Sequence, residues 1–171
     1  WYANKEGRSY AEQLAGPSAM DLAMVIVPIP SAVKTGEAHA EVLSSPLFGA
    51  RLKRIGKTVE KMKRAILEGN IPVIGKLAEE DSLDLHAITM TGKSHMVLWE
   101  PDTIRIIREV VKMRRGGIPG WYSIDTGPSV FINTTMSHLE KVASRLSKAG
   151  FKRVVCSGIG DKPSIGDGHL F

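Results

Sequence analysis

Trp121-Tyr122-Ser123-Ile124-Asp125-Thr126-Gly127-Pro128-Ser129-Val130-Phe131-Ile132-Asn133-Thr134 is the stretch whose reading decides the fold. Two short runs rich in β-branched and aromatic residues, 121–125 and 129–134, flank Thr126-Gly127-Pro128, which predicts neighbouring strands joined by a tight turn. Downstream, Leu139, Val142 and Leu146 recur at helical spacing over 137–149, Gly150 stops the helix, and Arg153–Cys156 reads as a last strand. Upstream, Glu100-Pro101-Asp102 opens a helix with the stripe Ile104, Ile107 and Val111, closed by Lys112, Arg114, Arg115 and Gly116-Gly117. Acid at its front and base at its back suit the helix dipole.

Further upstream, a helix is predicted from Pro72 to Ile88, with Asp81 at the centre of the apolar face Ile74, Leu77, Leu85 and Ile88. Another spans Leu47 to Glu68, with Leu52, Ile55, Val59, Met62 and Ile66 as one buried stripe and Gly69-Asn70 as its stop. Residues 31–43 are polar and small and read as a loop. The apolar run 22–29, between Asp21 and Pro30, reads as a central strand covered on both faces. The order strand, helix, helix, helix, strand, strand, helix, strand describes an α+β fold: an antiparallel sheet with helices packed on one face, a ferredoxin-like variant. No linker or repeat divides the chain, so 1–171 is expected to be a single domain. The tail from Ser157 to Phe171 is glycine-rich and reads as irregular.

With 171 residues, 43% hydrophobic and 24% charged, the chain is long enough for one core. Its net charge of +5 permits anionic partners without choosing among them. Arg51, Lys53, Arg54, Lys57, Lys61, Lys63 and Arg64 read as the solvated back of a helix; no aromatic interleaves them, so nucleic acid is not the expected partner. The single cysteine, Cys156, precludes an internal disulfide and fits a reducing compartment, and Val154-Val155 beside it suggest a buried, inert thiol. No apolar run approaches the ~18 residues of a membrane span and no leader is evident, so a cytoplasmic protein is expected. It begins at Trp1 rather than Met, from which a processed, cleaved or truncated product is expected.

His39, His86, His95, His138 and His169 show no paired spacing and cannot join Cys156 in a ligand pattern, so no protein-held metal is expected. No phosphate-binding glycine loop links a strand to a helix; Gly158-Ile159-Gly160-Asp161 follows a strand with no helix after it. Asp81 must bond backbone amides or a basic partner, or border a polar cavity. Ser82 and His86, four apart, share a side of their helix. Asp125 has two readings, an Asx turn closed on its own amides or an acid facing a cleft from a strand end. Apolar residue, Asp125-Thr126-Gly127 also matches the turn of an aspartic protease. A single copy would require a homodimer of a nearly all-β enzyme, against which four helices and Pro128 argue.

Taken together, these pieces resemble the C-terminal half of the mevalonate diphosphate decarboxylase family, within the GHMP kinase superfamily. Trp1, Gly7, Ser9, Tyr10 and Ala11 are similar to its Trp…Gly…Ser-Tyr-Ala opening, and Asp21-Leu22-Ala23-Met24 to the first strand of that half. Ser44-Ser45-Pro46-Leu47 resembles its Thr-Ser-Pro-Leu helix start. Asp81-Ser82 with His86-Ala87 resembles its Asp-Ser-Asn-x-x-His-Ala stretch, Leu83 replacing the Asn. Ser123 to Ser129 resembles its Phe-Asp-Ala-Gly-Pro-Asn turn, with Thr126 for Ala and Ser129 for Asn.

The resemblance implies a GHMP kinase C-terminal domain and an activity: ATP phosphorylates the 3-hydroxyl of a phosphorylated mevalonate, then phosphate and CO2 leave to give an isopentenyl product. It implies Asp125 as the catalytic aspartate that accepts or orients the 3-hydroxyl proton, with Thr126 and Gly127 lining the pocket and Lys34 and Thr35 in place of a Ser-Arg pair that touches substrate phosphate. ATP and Mg2+ would be held mainly by an N-terminal half absent here, so the chain alone is expected neither to bind ATP well nor to turn over. The implied partners are the phosphorylated mevalonate and that N-terminal half, with a homodimer left open. Thr91-Gly92-Lys93-Ser94 replaces a Pro-Pro segment, as in archaeal-type members that use the monophosphate or the 3,5-bisphosphate. A sister activity, mevalonate 3-kinase, phosphorylates without decarboxylating; its members lack the turn aspartate, so Asp125 favours the decarboxylase.

Overall fold

A computed structural model describes residues 2–3 and 7–160. Trp1, and the tail beyond Gly160 with Asp161 and His169, lie outside the described residues. A short hairpin, β1 (Tyr2–Ala3) and β2 (Ser9–Tyr10), precedes β3 (Leu22–Val27). Then follow α1 (Thr35–Val42), α2 (Phe48–Leu67), α3 (Ile71–Met90) and α4 (Pro101–Arg115). β4 (Trp121–Ser123), β5 (Val130–Thr135), α5 (Leu139–Lys148) and β6 (Val155–Gly158) complete the fold.

The main sheet runs β4-β5-β3-β6 with every pairing antiparallel, Val25 opposite Ile132 and Cys156, and Tyr122 also opposite Ile132. This is the expected α+β, ferredoxin-like arrangement, with the first and third strands of the sheet at its centre. Ala23, Val25 and Val27 of β3 join Val130 and Ile132 of β5 in the core, beneath Ile106, Val110 and Met113 of α4 and Val142 and Leu146 of α5. α3 runs along the free edge of β4 and satisfies amides that an edge strand leaves open. The two approach closely: a Cβ on Gly75 would stand 2.4 Å from Cγ of Trp121, so only glycine fits there. A helical fold of this kind excludes the all-β protease dimer.

Several local expectations are corrected. Residues 35–42 form a helix, not part of a loop; Ala38 and Glu41, the residues it buries, are too few to register as a stripe. β3 alternates buried and half-buried residues, so it is fully covered on one face only. On α2 only Ala65 is buried, while Leu52 and Val59 are exposed: the helix lies outside α3, not over the sheet. On α4 the buried stripe is Thr103, Ile106, Val110 and Met113, one residue before the expected one, because Thr103 donates to the carbonyl of Pro128 and fixes the rotation. Cys156 is exposed, because β6 is an edge strand of the sheet and all four of its residues are exposed. Ser157 and Gly158, expected in the irregular tail, belong to that strand.

Candidate active site

β4 ends at Ser123, and the chain turns through Ile124 to Ser129 before β5. Four neighbouring elements fasten this turn. The amide of Ile124 donates to Oγ of Ser82 on α3 at 2.9 Å. Oγ1 of Thr126, itself buried, donates to Oγ1 of Thr35 at the start of α1 at 3.3 Å. The carbonyl of Pro128 accepts from Thr103 of α4 at 2.8 Å. Ser129 closes a two-way contact with Ile29 just beyond β3, accepting its amide at 3.0 Å and donating to its carbonyl at 3.2 Å.

Asp125, in the middle of these anchors, takes part in none of them. It is exposed, and among the described residues no amide, hydroxyl or cation bonds its carboxylate, so the Asx-turn reading does not hold. It lies on the wall of a cavity of about 380 Å³ with Ser123 and Phe131 of the sheet, Ile55, Val59 and Met62 of α2, and Leu77 and Asp81 of α3. The cavity wall is apolar apart from a few hydroxyls and two acids. Asp81 is neutralised by Arg51 at 2.8 Å, so Asp125 is the unpaired charge there. Of the readings of Asp81, the basic partner is the one met, and the cavity it borders is largely apolar.

Of the residues named from sequence, Asp125, Thr126, Gly127 and Thr35 come together. A Cβ on Gly127 would meet nothing within 4 Å, so its backbone is open to a ligand. Lys34 caps α1 next to Thr35 and is exposed, without an ion pair among the described residues. Ser82 and His86 do not bond each other; Ser82 donates to the carbonyl of Ala78. Thr91-Gly92-Lys93-Ser94 packs on the end of α1, where the buried carboxylate of Glu41 accepts the amide of Ser94 at 2.7 Å and Ser44 that of Lys93 at 2.8 Å.

Sequence reading missed His86 as a member of this neighbourhood. Its ring is 1% exposed, stacks obliquely on Trp99 at 5.1 Å between centroids, and offers two nitrogens that no group bonds. Burial lowers its pKa to about 4, opposed only by the main-chain carbonyl and carboxylate of Asp125. The signal was present in the spacing 79, 82, 86, but small and polar residues leave no trace in an apolar pattern.

The fold is a split βαβ sheet that carries an unpaired acid on a braced turn above an apolar cavity. The chain belongs to the family described as Mevalonate 5-diphosphate decarboxylase C-terminal domain, whose model matches residues 34–164. It is 37% identical over 148 residues to the phosphomevalonate decarboxylase of Haloferax volcanii, covering 86% of this chain and 45% of that protein. Identity to the mevalonate 3,5-bisphosphate decarboxylase of Thermoplasma acidophilum is 28% over 132 residues, covering 77% and 31%. The fold matches the mevalonate diphosphate decarboxylase of Enterococcus faecalis, solved in work on how mevalonate diphosphate mediates ATP binding, with a TM-score of 0.84 at 22% identity over 93% of this chain and 50% of that one. The chain thus spans about half the length, or less, of the proteins it resembles.

Proposed function

We propose that this chain supplies the substrate-facing half of an ATP-dependent carboxy-lyase of isoprenoid biosynthesis, converting a phosphorylated mevalonate to an isopentenyl phosphate in the cytoplasm. The observation that carries this reading is the free carboxylate of Asp125, held over an apolar cavity by a turn that is anchored on both sides of it. Asp125 accepts or orients the proton of the substrate 3-hydroxyl as that oxygen takes a phosphoryl group. As the 3-phosphate departs, the same negative charge stabilises the positive charge developing at C3. The C1 carboxylate then leaves as CO2, and the bonding pair it gives up becomes the alkene.

Lys34, the hydroxyl of Thr35 and the open amides at the start of α1 receive a substrate phosphate, and Thr126 and Gly127 line the same side. ATP and Mg2+ belong to the half of the protein that lies outside this chain. Among the described residues no group of three His, Cys, Asp or Glu side chains is placed to hold a metal ion. The 5-monophosphate is the favoured substrate, since identity to the phosphomevalonate enzyme exceeds that to the bisphosphate enzyme, 37% against 28%.

The test is Asp125→Asn in a full-length protein that includes the ATP-binding half. Turnover should fall by orders of magnitude, about 10³-fold or more, while substrate affinity changes little. CO2 release and 3-phosphate formation are measured separately, since a 3-kinase would yield the second without the first. Near-normal turnover would leave Asp125 a turn residue. This chain alone, given ATP and mevalonate 5-phosphate, should not turn over.

A further inference from the structure

We propose that His86 is a positioning residue for Asp125: a buried imidazole behind the turn, it gives its ring proton to the Asp125 main-chain carbonyl and so keeps the carboxylate directed into the cavity. This rests on the reading of Asp125 given above.

The placement comes from a ladder. On one stripe of α3, Glu79 accepts the amide of Tyr122 at 3.1 Å and, one turn on, Ser82 accepts that of Ile124 at 2.9 Å. His86 is the next rung, a further turn along the helix, where the strand has given way to the Asp125 turn. The first two rungs are partnered and the third is not. Neither ring nitrogen of His86, nor the buried Nε1 of Trp99 against it, has a hydrogen-bond partner among the described residues.

An orphaned buried polar group costs about 1–3 kcal/mol, and a leucine or phenylalanine would fill this space without that penalty. A histidine kept here therefore calls for an acceptor. The group that acts on its proton affinity, besides burial, is Asp125, through its main-chain carbonyl and its charge. The Trp99 ring, tilted by 51°, packs against the imidazole. A hydrogen bond from the ring to the turn completes the ladder and fixes a residue that the four anchors leave free.

Two measurements on the full-length enzyme test this. In the ¹⁵N-histidine-labelled protein at pH 7, His86 should show one neutral tautomer whose ring proton exchanges slowly, and its resonance should move in Asp125→Asn. A ring that averages between tautomers, or whose proton exchanges freely, would overturn the proposal, and this readout needs no variant of His86. His86→Phe keeps the ring against Trp99 and removes both nitrogens. It should lower kcat about tenfold or more with KM within about threefold, and add little to Asp125→Asn in the double variant. His86→Gln, which retains a donor, should recover most of the rate. A folded His86→Phe enzyme with normal kcat would also overturn the assignment. If Asp125→Asn itself keeps full turnover, the functional reading fails, and the ring-proton measurement still decides the hydrogen bond. If His86→Phe does not fold, the same measurement decides.

Discussion

The hydroxyl of Ser82 accepts the amide of Ile124 at 2.9 Å, tying the middle of α3 to the residue that precedes the site acid. Ser82 is 5% exposed, so its removal strands a buried donor instead of returning it to water. Ser82→Ala should therefore cost about 1–3 kcal/mol of stability, read as a lower denaturant midpoint with unchanged slope. In the full-length enzyme it should lower kcat as well, because the turn bearing Asp125 loses its first anchor.

The buried imidazole of His86 makes stability depend on pH. Its folded pKa is about 4 against an ordinary 6.5, with burial the larger cause and Asp125 the opposing charge. The unfolded chain thus binds a proton at a pH where the folded chain does not, and stability falls as pH drops from 6.5 toward 4. The full effect is about 3 kcal/mol. His86→Gln should show a flatter stability curve across that window in denaturant titrations at pH 7, 5.5 and 4.5. Equal slopes in the two proteins would mean that the ring is not buried neutral.

The order of strands and long helices was legible because it rests on apolar periodicity and on stops such as Gly69-Asn70 and Gly150. Which face of each helix is buried was less so. α3 turns Gly75, Ser82, His86 and Thr89 inward together with its aliphatic residues, since it lies along a strand edge that needs acceptors and close approach. α2 carries a regular stripe yet covers little of the core, because a stripe records amphipathicity and not what lies against it. α1 was unreadable for the opposite reason: its one buried carboxylate, Glu41, is stabilised by the turn 92–94, a contact between segments 53 residues apart that no local pattern contains. The site acid was found through its turn motif, and the motif alone left two meanings. Only the four anchors around it, all from distant segments of chain, decided between a closed Asx turn and a free carboxylate.

Lys34 is an exposed cation one residue before the hydroxyl that meets Thr126. If it pairs with a substrate phosphate, Lys34→Gln should raise KM for mevalonate 5-phosphate on the order of 10-fold with kcat nearly unchanged, since a charge-assisted hydrogen bond is worth about 1.5–3 kcal/mol. The defect should shrink as salt is raised, because the wild type loses affinity and the variant has less to lose. Steady-state kinetics at two ionic strengths check both points.

Two glycine-to-alanine substitutions in neighbouring helices should have opposite signs. Alanine is favoured over glycine within a helix by about 1 kcal/mol, so by propensity alone both would stabilise. On α2, a Cβ at Gly56 meets nothing within 4 Å, and Gly56→Ala should gain close to that amount. On α3, a Cβ at Gly75 would lie 2.4, 2.5 and 2.6 Å from Cγ, Cδ2 and Cβ of Trp121. Those atoms are the root of the ring, not a flexible end, and β4 is held in place by Glu79 and Ser82 on the same helix, so the strand cannot retreat without breaking both bonds. Overpacking of this kind costs about 1–3 kcal/mol, which exceeds the propensity gain. Gly75→Ala should therefore lower the melting temperature where Gly56→Ala raises it, and in the full-length enzyme Gly75→Ala should also depress kcat by displacing the strand that leads to Asp125. A stabilised Gly75→Ala protein would show that α3 does not lie against Trp121, and with that the bracing of the site turn from this helix would be lost.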